Sequence, residues 1–284
     1  MKALLITLPI FTSMLEGIFI KRYNSRHEKG GSLFIAFVSV FAMLFFILTD
    51  QNGLVFPNKI IVYGSIAGIL YCVASYMTYV ALAIGSFAMS MLIISYDLVL
   101  TVGYGLIFLK EPASAVTYTG LFIAFVSLFL VNAPDKSKKI KFSLKWLASI
   151  VCATVASGLF TVLTKMQQAD FNNAYTNEFM IICMGLSATV LTFGSIIKAP
   201  RESLYFLRHG LGWAVSAGAS NGATNFLSLA LLNVMPISIA TPTKAAVKII
   251  ASFIWAYLIY KERYSKKQLL GVGLGVVAIV LLNI

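Results

Sequence analysis

Long apolar runs separated by short polar breaks are the feature that most limits how this chain can fold. At 1.5 Å of rise per residue, about 20 helical residues cross the hydrocarbon core of a bilayer. Only 11% of the residues are charged, whereas soluble domains have about 25%. A helix that is apolar on all sides is rarely stable in water. The sequence therefore predicts an all-α integral membrane protein.

Ten membrane-spanning helices can be placed on these runs. Two of the breaks, AIGSFA at 83–88 and LNVMPISI at 232–239, contain no charged residue and predict tight hairpins. The other breaks are polar, as KRYNSRHEKGG and NAPDKSKKIKFS illustrate. The predicted spans are residues 3–20, 31–49, 59–84, 86–109, 112–131, 144–166, 175–197, 208–232, 236–260 and 266–284.

The net charge of +12 reflects topology and not a nucleic-acid partner, because the basic residues lie mainly in the breaks between apolar runs. Of the 22 Lys and Arg residues, 16 lie in breaks on one predicted side of the membrane and 4 on the other. Lys and Arg are enriched in cytoplasmic loops. We therefore expect a multi-pass protein of the plasma (inner) membrane with both termini outside the cytoplasm.

Two distant stretches of the chain resemble each other. IFLKEPASAVTYTGLFIAFVSLFLVN at 107–132 matches LIYKERYSKKQLLGVGLGVVAIVLLN at 258–283, with Glu111 opposite Glu262 at a constant offset of 151 residues. A fixed offset of this kind indicates an internal repeat.

The repeat predicts two units, residues 1–133 and 134–284, each with five spans. Because five is odd, the second unit enters the membrane in the opposite sense. Inverted repeats are typical of secondary transporters, whose substrate site lies near the bilayer midplane between the two units.

A glutamate that ends a span, a short polar step and then an apolar span with glycine occur twice, as LKEPASAVTYTG and YKERYSKKQLLG. This pattern resembles the drug/metabolite transporter superfamily in its ten-helix EamA-like form. The resemblance covers the whole chain as two halves. It implies ten helices in a 5+5 inverted repeat around a central cavity, with transport by alternating access.

Four ionisable residues fall inside predicted spans. Asp97 and Lys248 lie near the middle of theirs, Lys244 is one turn from Lys248, and Glu16 is near the cytoplasmic end of the first span. Each costs on the order of 2.5–3.5 kcal/mol at mid-bilayer, so such residues face the bundle interior. The offset of 151 places Asp97 opposite Lys248. We expect both to face one shared cavity.

Two lysines on one helix face repel each other unless an anion lies near. For Lys244 and Lys248 that anion is Asp97, Glu16, or a carboxylate or phosphate of the substrate. Nearby, Pro242 frees a backbone carbonyl and Thr241 can form hydrogen bonds. The sugar-phosphate and nucleotide-sugar branch of the superfamily has basic residues in this same penultimate helix. That resemblance implies an anionic or zwitterionic substrate.

Glu16 resembles the first-helix glutamate of the small multidrug-resistance branch, which implies that it binds protons and cationic substrates in turn. A carboxyl in a low dielectric can exchange a proton near neutral pH. Glu16 is therefore the first candidate for proton coupling and Asp97 the second. In the structural alternatives, Glu16 reaches the interface or pairs with Lys21 or Arg22, and Asp97 forms a structural ion pair with Lys248.

Three further polar residues are substrate-binding candidates. Asn221 and Asn225 are four residues apart on one face of the eighth span, and amides inside membranes usually face protein or a cavity. Tyr76 lies near the equivalent position of the third span.

The sequence contains no Ser-His-Asp set, metal-ligand cluster or P-loop, so neither an enzyme nor a cofactor is expected. The leading hypothesis is a proton-coupled exporter of a small polar or zwitterionic metabolite or drug. Its partners would be that small molecule, protons and the lipid bilayer, and a monomer would suffice. The alternatives are an electroneutral exchanger of sugar phosphates or organic acids, and a non-transporting membrane scaffold with structural ion pairs.

Overall fold

The apolar runs form helices joined by short connections. The computed structural model describes residues 2–27, 30–50, 53–85, 87–131, 143–260 and 265–282. It has no β-strand within those ranges, which confirms the all-α expectation. The helices are α1 (Lys2–Arg26), α2 (Gly31–Thr49), α3 (Asn58–Ile84), α4 (Phe87–Ile94), α5 (Leu98–Ile107), α6 (Ala115–Val131), α7 (Leu144–Asp170), α8 (Thr176–Lys198), α9 (Pro200–His209), α10 (Leu211–Val234), α11 (Ile237–Tyr260) and α12 (Lys266–Leu282).

Within the described residues, five helices are long and apolar enough to cross a membrane, namely α1 from Leu4 onwards, α2, α3, α7 and α8. Large apolar side chains cover the outside of the bundle, for instance Leu48 at 83% and Phe129 at 77% exposed. A surface of this kind suits lipid better than water, and it supports a multi-pass membrane protein. Shorter apolar segments are Ser95–Ile107, Ala115–Ser127 and Leu269–Leu282. The count of ten spans stays a prediction.

The predicted span 86–109 is interrupted in its middle. A single 3₁₀ turn, Ser95–Asp97, separates α4 from α5. The buried Ser95 hydroxyl donates to the Met91 carbonyl at 2.9 Å, and such bonds bend helices because they compete with the helix's own hydrogen bonds. The hydropathy of residues 86–109 does not predict this interruption. It places Asp97 at a local change of helix geometry.

The segment KAPRESLYFLRHG, predicted as a polar break, contains the short helix α9. Pro200 occupies its first turn, where the missing N–H has no intrahelical partner to lose. Its residues Ser203 and Phe206 are buried. This connection is therefore an amphipathic helix that packs on the end of the bundle.

Glycines bring several helices close together. A Cβ at Gly68 of α3 would lie 2.9 Å from the Cys183 carbonyl of α8, and one at Gly218 of α10 would lie 2.8 Å from the Val38 carbonyl of α2. Larger residues would push these helices apart. Small residues have this role widely in membrane bundles, where close backbone approach replaces the hydrophobic effect.

Helices from the two ends of the chain interleave. The main pairs are α1 with α10, α2 with α8 and α10, α3 with α7 and α8, and α6 with α12, while α11 contacts α1, α5 and α12. The bundle therefore mixes helices from the part of the chain up to residue 131 with helices from the part that begins at residue 144. Of the residues that mark the predicted repeat, Glu262 lies outside the described residues.

Candidate functional site

A cavity of about 260 Å³ lies in the interior, lined mainly by α1, α7, α10, α11 and the 3₁₀ turn after α4. It is the place where the structure brings most of the predicted site residues together. The lining includes six of the eight predicted site residues, Glu16, Asp97, Asn225, Thr241, Lys244 and Lys248.

Glu16 is held by the side-chain amide of Asn221, on α10. The Asn221 amide donates to Glu16 Oε1 at 2.9 Å. The oxygen of the same Asn221 accepts from the Tyr71 hydroxyl at 2.7 Å and from the Asn225 amide at 3.0 Å. Because both sides of the Asn221 amide are occupied, its orientation is fixed, and its donor points at the carboxylate.

Asp97 has a different set of neighbours. The Ser157 hydroxyl of α7 donates to Asp97 Oδ2 at 3.1 Å. The next residue, Gly158, allows α7 to approach closely, since a Cβ there would lie 3.2 Å from the Asp97 carbonyl oxygen. The 3₁₀ turn thus presents Asp97 to the cavity and packs directly against α7.

The two lysines of α11 connect the two carboxylates. Lys248 interacts electrostatically with both Asp97 and Glu16. Lys244 interacts with Asp97, and its ammonium donates to the Ser228 hydroxyl of α10 at 3.2 Å. In their usual charge states these four groups sum to zero, which lowers the cost of burying them together.

Thr241 lies one turn before Lys244 and is buried. Its hydroxyl donates to the Ile237 carbonyl at 2.7 Å and accepts from the Thr101 hydroxyl of α5 at 2.9 Å. Both of these partners belong to the protein. Thr241 therefore joins α11 to α5 at the edge of the cavity.

Tyr76 is the one predicted site residue that lies away from this network. It packs, partly buried, against the apolar cluster around Phe34 and Phe206 and does not line the cavity. The tyrosine that reaches the amides is Tyr71.

An ion pair between Glu16 and Lys21 was one structural alternative to a proton-coupling role of Glu16. The Lys21 ammonium donates to the backbone carbonyls of Leu82 and Gly85, at 2.7 and 2.9 Å. The hydrogen bond that holds Glu16 comes from Asn221.

The hydroxyl groups that α7 contributes are not among the site residues predicted from the sequence. Ser157, Thr161 and Thr164 all line the cavity. Their spacing of four and then three residues places them on one helix face, so a search for polar stripes within apolar spans would have found them.

The cavity therefore offers two carboxylates, two ammonium groups and several hydroxyl groups to a small polar molecule. In the part of the chain that the structure describes, no group of three or more His, Cys, Asp or Glu residues could hold a metal ion. The chemistry of this lining is the recognition of charge and of hydrogen-bonding groups.

Comparisons with known proteins agree with this description. A solved structure, described only as the crystal structure of a protein, resembles this fold with a TM-score of 0.69 at 14% identity, covering 99% of this chain and 98% of that chain. At that identity the likeness shows the fold alone. No curated protein matches the chain.

The second half of the chain, residues 144–284, matches the family model described as the EamA-like transporter family. Members of that family are membrane transporters, in agreement with the apolar helices and the polar interior cavity. By this match, the chain belongs to the EamA-like transporter family.

Proposed function

We propose that this protein is a secondary active transporter that exports a small polar or zwitterionic metabolite or drug across the plasma membrane in exchange for protons. The observation that carries the proposal is the cavity in which Glu16, Asp97, Lys244 and Lys248 meet. Buried ionisable groups are costly in a membrane and usually mark a substrate or ion pathway. Membership of a transporter family supports the same class of activity.

We further propose a 5+5 inverted repeat made of residues 1–133 and 134–284. An offset of 151 residues relates α1 to α7, α2 to α8, α3 to α10, α5 to α11, and α6 to α12. Under that relation the pairing of α1 with α10 becomes the pairing of α7 with α3, and both pairs exist. The pairs α2–α8, α6–α12 and α5–α11 map onto themselves. This reciprocity supports a pseudo-twofold axis through the cavity.

In the proposed mechanism Glu16 carries the coupled proton, and Asp97 is the second candidate for that role. Asp97 with Lys244 and Lys248 forms the polar substrate site. An ammonium group of the substrate would meet the carboxylates, and a carboxylate of the substrate would meet the lysines. The 3₁₀ turn at Asp97 fits this role, because interrupted helices commonly bear the binding sites of transporters.

Asn221 and Asn225 would hold Glu16 in place, and Thr241 would fix the start of the lysine-bearing helix. In the proposed topology both termini lie outside the cytoplasm, as the bias in Lys and Arg favours. One chain contributes all of these groups, so a monomer suffices.

The direct test is flux in proteoliposomes with a panel of amino acids, organic cations and phosphorylated sugars, with and without an imposed pH gradient. We expect uptake of at least one zwitterionic solute that a pH gradient accelerates. Absence of flux for every solute class, in protein that is folded and inserted, would leave the scaffold alternative.

A second candidate function is the exchange of anionic metabolites such as sugar phosphates or organic acids. The observation that favours it is the pair of lysines on one cavity-facing side of α11. It predicts exchange that is insensitive to a pH gradient and lost in both Lys244→Met and Lys248→Met. The same flux panel therefore separates the two proposals.

A further inference from the structure

Two short connections, called hairpins here, join α3 to α4 and α10 to α11. The last carbonyls and first N–H groups of a helix have no partners within the helix. In a membrane these groups need partners from elsewhere in the protein. Neither hairpin segment contains a charged residue that could supply them.

In both hairpins, backbone carbonyls at the end of the first helix accept hydrogen bonds from a lysine in a distant part of the chain. Lys21 of α1 donates to Leu82 and Gly85 at the end of α3. Lys165 of α7 donates to Leu232 near the end of α10 at 2.7 Å. Because α1 and α7 are the first long helices of the two proposed repeats, and α3 and α10 their third, these contacts have the same place in each half.

In the α10–α11 hairpin, backbone N–H groups at the start of α11 also have a carboxylate partner. The two oxygens of Glu111, in the connection between α5 and α6, accept from the backbone N–H groups of Ile237 and Ser238, both at 2.9 Å. Gly105 leaves room for this carboxylate, since a Cβ there would lie 2.6 Å from Glu111 Oε2. An acid at a helix N-terminus and a base at a helix C-terminus both complement the helix dipole.

Glu111 and Lys165 bind the two sides of the same hairpin, Lys165 at the end of α10 and Glu111 at the start of α11. The two side chains interact electrostatically with each other. Leu232, which Lys165 binds, lines the cavity. Glu111 fixes the first turn of α11, the helix that bears Lys244 two turns later. A shift of this hairpin therefore moves the wall of the cavity and the lysines that face it.

We infer that Glu111 and Lys165 are positioning residues that hold the α10–α11 hairpin against the cavity, and that Lys21 does the same for the α3–α4 hairpin. The inference rests on the proposed function. In the proposed topology the two hairpins lie at opposite membrane faces, the α10–α11 hairpin outside and the α3–α4 hairpin at the cytoplasm. Each set of contacts then favours closure of one side, and its loss opens that side.

The test measures access to the cavity from each side. The reporter is Thr161→Cys, at a cavity-lining position, in a chain whose three native cysteines are replaced by alanine. A membrane-impermeant maleimide labels it in intact cells from outside and in inside-out vesicles from the cytoplasmic side. Chromatographic profiles of the purified variants establish that each one is folded.

We expect Lys165→Met and Glu111→Gln to raise the rate of labelling from outside roughly tenfold, as expected when a charged hydrogen bond biasing two states is lost. Lys21→Met should raise labelling from the cytoplasmic side and lower it from outside. Lys165→Arg keeps a cationic donor and should behave like the parent. The matched control is Lys59→Met, because Lys59 pairs with Asp170 at the surface and lies in the first turn of α3, at the opposite end from its hairpin.

Equal labelling of Lys165→Met and Lys59→Met would overturn the inference. So would a shift toward the same side in Lys165→Met and Lys21→Met, or a reporter that stays unlabelled from both sides in every variant. Labelling needs no transported solute, so the outcome is independent of flux. Flux that depends on Glu16 and Asp97, together with unchanged labelling, would leave the proposed function intact and remove this inference alone.

Discussion

The two carboxylates of the cavity have different neighbours. Glu16 receives a hydrogen bond from the neutral amide of Asn221, which Tyr71 orients in turn. Asp97 receives one from the Ser157 hydroxyl and lies within electrostatic reach of both lysines of α11. One acid is therefore held mainly by neutral groups and the other mainly by cations.

This difference separates the roles that the two acids can take. A buried carboxylate beside two ammonium groups cannot lose its charge without leaving the cations uncompensated, and that is strongly destabilising. Glu16, which one neutral amide holds and only one of those lysines reaches, loses less when it binds a proton. The comparison favours Glu16 as the group that exchanges protons and Asp97 as the constant charge of the binding site.

The largest effect should follow from removing the charge of Asp97. In Asp97→Asn we expect flux to fall to the level of empty liposomes and the free energy of unfolding to fall by about 3–5 kcal/mol, because buried lysines lose their counter-charge. Flux assays and thermal unfolding in detergent measure both. Asp170→Asn is the control, since its ion pair with Lys59 is exposed and such pairs contribute about 0–1 kcal/mol.

A double variant sharpens that prediction. Asp97→Asn with Lys248→Met removes one charge of each sign and should recover much of the lost stability without recovering flux. If Asp97→Asn alone transports and unfolds like the parent, Asp97 is not the constant charge that the comparison requires.

The next largest effect should be a change in coupling. In Glu16→Gln we expect flux driven by a pH gradient to fall about tenfold or more, while exchange of labelled for unlabelled solute continues, because the neutral side chain keeps its place beside Asn221 but carries no proton. Glu202→Gln, at an exposed position on α9, is the matched control. Flux in Glu16→Gln that still responds to the pH gradient would move the coupling role to another group.

Much of this arrangement could be predicted from the sequence. The hydropathy of the runs predicts the helices, and the uncharged junctions predict both hairpins. Because charges within apolar runs must face inward, the sequence also predicts that Asp97 and Lys248 face one cavity. These predictions need only composition, periodicity and the cost of burying charge.

The remaining features depend on how each helix is rotated against its neighbours. Tyr71 and Tyr76 are five residues apart, so they point about 140° away from each other on α3, and hydropathy alone cannot choose between them. The bonds of Lys21 and Lys165 to carbonyls more than 60 positions away depend on which helices pack together. The 3₁₀ turn at Ser95–Asp97 leaves no mark in the hydropathy of its apolar run.

Substitutions of Tyr71 and Tyr76 test whether the rotation of α3 decides which tyrosine matters, and their effect on flux should be smaller than that of either carboxylate. Tyr71→Phe removes the hydroxyl that orients Asn221, and we expect a three- to fivefold loss of flux, about 0.7–1 kcal/mol, the usual worth of a neutral hydrogen bond. Tyr76→Phe should transport like the parent, because Tyr76 packs against an apolar cluster. Initial rates at saturating solute compare the two. The reverse order would place Tyr76 at the substrate and Tyr71 in a purely structural position.

The smallest effect concerns the neutral partner of Asp97. Ser157→Ala removes one hydroxyl donor from a carboxylate that keeps both lysines as compensating neighbours, so the loss should lie at the lower end of the range for hydrogen bonds, about 0.5 kcal/mol, or about twofold in flux. Ser149→Ala is the matched control on the same helix, because that hydroxyl donates to the Lys145 carbonyl of its own helix. A tenfold loss in Ser157→Ala would mean that Asp97, like Glu16, depends on its neutral donor. The two acids would then differ less than their surroundings indicate, and the division of roles between them would no longer follow.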